Sequence, residues 1–494
     1  MAEVYPINSF SPNTRIPIED DESHPHVITI SPEESSTEAN SANPIEAWLP
    51  LTESREGNLW TCVFHLISSG IGVQALLLPV AFASLGWAWG TICLSLGFIW
   101  QLYTIWVLVQ LHESVPGTRY SRFLQLSMAA FGPKLGKLLA LFPVMYLSGA
   151  SCVVLIINGG KAMELFFNEV RGTSSSALTG VEWFLVFTAM AILMAQAPNL
   201  NSVAGFSLVA AITGIAYCTF LWALPVAKGR VSDADYGSPS SANESGMGRM
   251  SDVLNGIGII MLSFRGHNLI LEIQGTLPSG QKIQSRKTMW RAVMISYAIV
   301  MIILFPLAIA GFWAYGNKVP SSGGMLKAFS SFHGSSTSKP LKGLIYLLLL
   351  VNCLTSYPIY AMPVFDNLEL SLISQKKNNK PCSRLVRACS RLFFGGVTFF
   401  IAVTFPFLPS LAPLIGAVAL PLTLAYPCLM WIAMKMKVKK SAPNTDCKSG
   451  GDVAVWGLNL LLGSLGMALC VLLVVGAVWS LADKGLHANF FKPE

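Results

Sequence analysis

Charge is what this chain has least of. Asp, Glu, Lys and Arg make up 12% of its 494 residues against 53% hydrophobic ones, where a soluble domain carries about a quarter. A soluble globular protein is thereby excluded. Other absences narrow the function. No metal-ligand cluster, nucleophile elbow or phosphate-binding glycine loop is present, which argues against an enzyme and predicts no cofactor beyond a coupling ion. No span carries a continuous polar face, which argues against a pore, and no nucleic-acid partner is expected. None of the ten cysteines falls in a predicted outer loop: seven lie in spans, while Cys382, Cys389 and Cys447 face the cytosol. No structural disulfide is expected. No basic stretch leads into an apolar run at the N-terminus, so the first span rather than a cleaved signal peptide should start insertion.

What is present is a series of apolar segments of membrane length, about 20 residues rising 1.5 Å each. Uncharged windows occupy 86–111, 138–160, 292–317, 343–365 and 453–481. Two longer stretches, 183–227 and 392–434, must fold back on themselves. Their tips are Gln196-Ala197-Pro198-Asn199-Leu200-Asn201 and Pro406-Phe407-Leu408-Pro409-Ser410. Two further segments are broken at mid-span. The first, 58–83, breaks at Ser68-Ser69-Gly70-Ile71-Gly72; the second, 253–275, is interrupted by Ser263-Phe264-Arg265-Gly266-His267-Asn268, with Glu272 one turn on. Eleven spans result. The broken ones open two halves of five, and because five is odd the halves insert in opposite senses, an inverted repeat with its site at the bilayer midplane.

The expected organisation is an acidic cytosolic tail over 1–56, a first five-helix repeat over 57–227, an outer loop over 228–252, a second repeat over 253–434, and a cytosolic basic loop with the eleventh helix over 435–494. The tail holds 11 acidic and 2 basic residues and reads as disordered, with regulatory kinases as conceivable partners. Lys and Arg place the N-terminus in the cytosol and the C-terminus outside. Lys318, Lys327, Lys339 and Lys342 dissent, since they would lie outside. The sequon Asn243-Glu244-Ser245 falls in an outer loop on this orientation, making Asn243 the candidate glycosylation site.

A helix that opens in mid-membrane exposes amides that lipid cannot satisfy, so they must face a ligand or water. The half-helix beginning near Gly72 points its positive dipole end at the cavity, where a carboxylate is the natural occupant. Gly70 and Gly72 permit close approach, and Ser68 and Ser69 can add hydrogen bonds. Phe264 and Arg265 are their counterparts at the second break. An Arg at the centre of a span costs about 2.5 to 3.5 kcal/mol on insertion scales, so Arg265 should face a wet cavity or a partner, among which Glu272, His267 and His65 are candidates. His267 and Glu272 are the expected proton carriers. His65 reads as structural.

The run from Asn58-Leu59-Trp60 to Gly86-Trp87, Gly159-Gly160-Lys161, Gly266-His267-Asn268 leading to Leu271-Glu272-Ile273-Gln274, and Ile359-Tyr360-Ala361-Met362-Pro363-Val364-Phe365-Asp366 resemble the plant amino acid/auxin permease family, and within it the lysine/histidine transporter-like branch. The resemblance covers about 47–494. It implies an all-α LeuT-like fold and proton-coupled symport of amino acids into the cytosol across the plasma membrane or an internal one, sodium coupling remaining open. By position it implicates Tyr146, Ser148 and Ser151 of the third span and Asn352, Thr355 and Ser356 of the eighth in substrate binding. The chain departs from the branch at Arg265, where better-known members carry a small residue, and at Pro358, so a lysine or histidine preference does not carry over. Import of an indole acid and amino-acid sensing with little flux are the alternatives.

Overall fold

The computed structural model describes residues 55–115, 118–172, 178–197, 203–237, 246–264, 266–279, 284–375, 383–407, 412–441, 450–484 and 490–491. Most of the acidic tail therefore lies outside the described residues. The fold is all helical, with no strand among the described residues. Long uncharged runs become helices because in lipid every backbone N–H and C=O must be satisfied within its own segment.

The first half opens with α1 (Leu59–Gly70), started by a reciprocal cap: the Asn58 side chain accepts from the Trp60 and Thr61 amides, and the Thr61 hydroxyl accepts from the Asn58 amide. After the break, a 3₁₀ turn (Val73–Leu77) leads into α2 (Leu78–Leu111). The apolar run Val73–Leu111 is 39 residues long, about 58 Å at helical rise against about 30 Å of hydrocarbon. It divides at Gly86, whose φ of +73° a side chain would strain. The short helix α3 (Phe123–Phe131) precedes α4 (Pro133–Arg171), followed by α5 (Gly180–Met194) and α6 (Ala204–Lys228). Side chains at Gly159 and Gly160 of α4 would overlap the rings of Phe187 and Phe184 on α5. These glycines let the two helices touch at backbone distance.

The second half begins with α7 (Gly246–Ser263) and α8 (His267–Gly275), separated by the second break. It continues through α9 (Ser285–Tyr315), the short α10 (Gly324–Phe332), α11 (Lys339–Gln375) and α12 (Arg384–Thr404). The next segment is interrupted twice, into α13 (Ala412–Ala419), α14 (Pro421–Leu424) and α15 (Tyr426–Ser441), before α16 (Gly450–Lys484) ends the bundle.

By length and composition, eight helices among the described residues can cross a membrane. The eleven expected segments all coincide with helices, but α1 and α5 are short, the tenth is fragmented, and the joined run 73–111 holds two. Helix packing reveals the repeat that the residues themselves hide. Contacts recur when each segment of the first half is exchanged for the segment five places on. Packing of α1 on α6 is answered by α7 on α13, α1 on α9 by α7 on α2, and α5 on α4 by α12 on α11. Likewise α6 on α11 is answered by α13 on α4, and α12 on α4 by α5 on α11. The pairs α4 with α11 and α5 with α12 map onto themselves. This is the five-plus-five arrangement.

Candidate functional site

The two breaks meet. Gly266, just before α8, adopts φ +129°, a conformation favouring glycine, and a Cβ placed there would lie 3.2 Å from Ser69 Oγ at the end of α1. At the first break Ile71 and Gly72 are extended, and the second half of the segment restarts as the 3₁₀ turn with no side chain capping its N-terminus. The expected half-helix is thus initially tighter than an α-helix, yet its first amides still point at the break.

Several orphaned groups are satisfied by neighbours. The Tyr360 hydroxyl of α11 donates to the Ser69 carbonyl at 2.7 Å, and Gln101 Nε2 of α2 donates to the Met261 carbonyl of α7 at 2.6 Å. The Ser68 and Ser69 hydroxyls donate back to the carbonyls of His65 and Leu66 at 3.0 and 3.1 Å, leaving their lone pairs as what they can offer a ligand. Asn268 Nδ2 donates to Ser148 Oγ on α4 at 3.3 Å, while its Oδ1 is buried with no hydrogen-bond partner. His267 Nε2 is 2.9 Å from Thr104 Oγ1. His65 Nδ1 is 2.6 Å from Ser207 Oγ, a tie between α1 and α6 that suits its structural reading.

The expected residues are therefore brought together only in part. Ser69 lies at the meeting point, with Ser68, Gly70 and Gly72 along the same break, where a Cβ at Gly70 would meet Val300 of α9, and Ser148 reaches it through Asn268. Asn352 stands at its edge: Nδ2 donates to the Ala210 carbonyl on α6 at 2.8 Å, where a Cβ at Gly214 would touch both Asn352 and Ile71. Ser151 and Ser356 are buried on α4 and α11. Tyr146 and Phe264 engage aromatic neighbours. The Tyr146 ring stacks on Phe142, which is 59% exposed on the outside of the bundle. The Phe264 ring packs edge-on against Phe98 of α2, which also contacts Tyr297 of α9, so it fills the space between those helices. Arg265 and Asn243 lie outside the described residues.

Sequence reasoning passed over Tyr360, Gln101, Thr104 and Asn268. Gln101 and Thr104 carry a usable signal, a lone polar residue in an apolar window; Tyr360 lies inside a motif read only for resemblance, and Asn268 was read as part of the second break without a role of its own. It also missed a buried ion pair on the side where the chain enters α1. Arg122, just before α3, is 5% exposed and holds Asp366 of α11, 1% exposed, with both nitrogens of its fork: Nε to Oδ2, and Nη2 to Oδ1 at 2.9 Å. Glu272 of α8 is 3% exposed, and its Oε2 has no hydrogen-bond partner. On the same side, Arg55 donates to the Gly275 carbonyl and Arg119 to that of Leu277 at 2.9 Å, so two cations sit at the negative end of α8.

The chain is similar to known proteins along nearly its whole length. The chain is 51% identical to lysine histidine transporter-like 7 of Arabidopsis thaliana, over 91% of this chain and 90% of that protein. It is 48% identical to lysine histidine transporter-like 8 of the same plant, over 91% and 84%, and 31% identical to lysine histidine transporter-like 1, over 93% and 97%. Among solved structures, a Na⁺-coupled sialic acid symporter overlaps with a TM-score of 0.49 at 13% identity, covering 89% of this chain and 93% of that one. That overlap carries no argument about substrate or ion. The model of the transmembrane amino acid transporter proteins matches residues 55–472, and with broken helices meeting inside a bundle of apolar spans, the chain belongs to that family of non-enzymatic, multi-pass membrane transporters.

Proposed function

We propose that this chain imports amino acids into the cytosol by proton-coupled symport, with access alternating about the point where the two breaks meet. The observation that carries the reading is the approach of Gly266 to Ser69: two interrupted helices offer backbone amides and carbonyls to one shared space inside the bundle. The substrate carboxylate sits at the amides of the outer half beyond Gly72, and the ammonium faces the carbonyl side of the breaks with Ser69, Ser148 and Asn268 around it.

The carbonyls and Glu272 support a proton as the coupling ion. A sodium ion at the first break would have to share carbonyls that already accept one donor each from within the protein, those of His65, Leu66, Ile67, Ser69 and Gly72, and so would meet only their second lone pairs. A proton needs no such cage, and Glu272 offers a buried carboxyl. The N-terminus lies in the cytosol, the C-terminus outside and the protein in the plasma membrane on this proposal, with eleven spans. The name of the relatives does not set the substrate, because a fixed positive charge from Arg265 at the midplane favours neutral or acidic amino acids over lysine.

The test is current and labelled uptake in oocytes at external pH 5.5 and 7.5 without sodium, with an amino-acid panel and indole-3-acetic acid. Inward current with an amino acid at the acidic pH is the expected result. Flux only with sodium would overturn the proton reading, and flux only with the indole acid would overturn the substrate class. Lysine uptake by wild type equal to or above that of Arg265→Ala would remove the role given to that residue.

A further inference from the structure

The Arg122–Asp366 pair asks for a reason to exist. Burying two charges costs several kcal/mol per ion before their attraction repays it, and well-packed apolar residues often do as well. A stable bundle does not need this pair. Its position is informative. Arg122 lies between α2 and α3, Asp366 is on α11, and α3 packs against α8, the half-helix that carries Glu272. Asp366, Arg122 and Glu272 are thus linked through α3, with Arg55 and Arg119 held at the C-terminal end of α8. Of the other titratable and charged groups on α8 and at the end of α2, His267 is engaged with Thr104, Arg119 is occupied by Glu113 at 3.2 Å and the Leu277 carbonyl, and His112 is buried with neither ring nitrogen hydrogen-bonded.

The three groups together have two carboxylates for one guanidinium. With Arg122 bound to Asp366 by both nitrogens, Glu272 has no counter-ion of its own, and the cluster is neutral only with one added proton. We propose that Arg122 is the positioning residue that couples the proton to transport: Asp366 holds it while the cytosolic side is closed, and when α11 and α8 separate it passes to Glu272 and displaces the proton there into cytosolic water. The charge balances at each stage. Asp366, left behind, is exposed to that water and needs no partner. On return Asp366 reclaims Arg122, and Glu272 can close again only after taking a proton from the outer side. The inference rests on the symport reading and assigns its release step to a pair outside the substrate site.

Two assays on protein reconstituted in vesicles separate the possibilities: uptake against a substrate gradient driven by a pH difference, and substrate exchange at equal pH, which needs no net proton movement. Asp366→Asn leaves Arg122 with Glu272 as its only carboxylate, so pH-driven uptake should fall at least tenfold while exchange stays within about threefold of wild type. Asp366→Glu should restore it. Glu272→Gln should match Asp366→Asn, and combining the two should cost no more than either alone. Equal loss of uptake and exchange in Asp366→Asn, with Arg122→Lys behaving the same way, would show a merely structural pair and overturn the proposal. Unchanged pH-driven uptake in Asp366→Asn would overturn it too. Wild-type protein that exchanges but never concentrates substrate would instead sink the symport reading, and one that does neither would sink transport by this chain altogether.

Discussion

At the scale of single residues, the site depends on positions whose value is what they leave out or satisfy. Gly266 has no side chain where Ser69 approaches and holds a backbone angle that L-residues resist. Gly266→Ala adds strain of about 1–2 kcal/mol, so uptake per molecule at the surface should drop about tenfold, measured against surface labelling. Tyr360 acts by donation. Tyr360→Phe leaves the Ser69 carbonyl buried and unmet at a cost of about 1–3 kcal/mol, and the substrate concentration for half-maximal uptake should change more than the surface level does. Gly266 was legible as part of the second break, but neither its approach to Ser69 nor the donation by Tyr360 was legible in the residue alone. A glycine in a membrane helix reads as packing, and a tyrosine in an apolar motif reads as core, until the partner across the bundle is known. The serines of the first break were legible because an uncommon residue type repeats within one span.

At the scale of elements, the breaks, both hairpins and the basic loops follow from where apolar runs stop, which the chain states openly. What it withholds is how elements are tied across long separations. Arg55 and Gly57 are the clearest case: Arg55 donates to the Gly275 carbonyl and the Gly57 amide to that of Thr276 at 3.1 Å, so the entry to α1 is fastened to the exit of α8. A side chain on Gly57 would run into Thr276. Arg55→Ala should loosen this fastening and raise the labelling of a cysteine placed at Ser68 by a reagent applied from the cytosolic side; unchanged labelling would deny the strap a part in closure. On the opposite side, between the spans Ser285–Lys318 and Lys339–Glu369, His333 caps α10 and meets the Tyr315 hydroxyl at 2.8 Å through Nδ1. Burial pushes His333 below its ordinary value of 6.5, with Lys228 adding to the shift against a backbone contact at Gly229. The folded state thus prefers the neutral ring, so its contribution is present above pH 6.5 and is lost as pH falls through the lowered value. The melting temperature of purified protein should fall over that range, and His333→Gln should flatten the slope.

At the scale of the whole molecule, the five-plus-five repeat was inferable from hydropathy and from the placing of two broken spans, but not from residue identity. Packing preserves the pattern because helix interfaces accept many apolar sequences of similar volume. The pairing also divides the contacts into those with a counterpart in the other half and those without. Exchanging the halves converts each matched interface into another already present, so the matched interfaces give an arrangement open to one face and its mirror the same helix pairings, though not the same side chains. The short helices α3, packed on α8, and α10, packed on the 3₁₀ turn of the first span, answer one another in the same way, so the parts without a counterpart are the Arg55 strap and α16. The molecule is in this sense a symmetric balance with small asymmetric weights. Its resting sidedness is set by a few contacts that can be altered singly, and the direction of net flow by the gradients across the membrane.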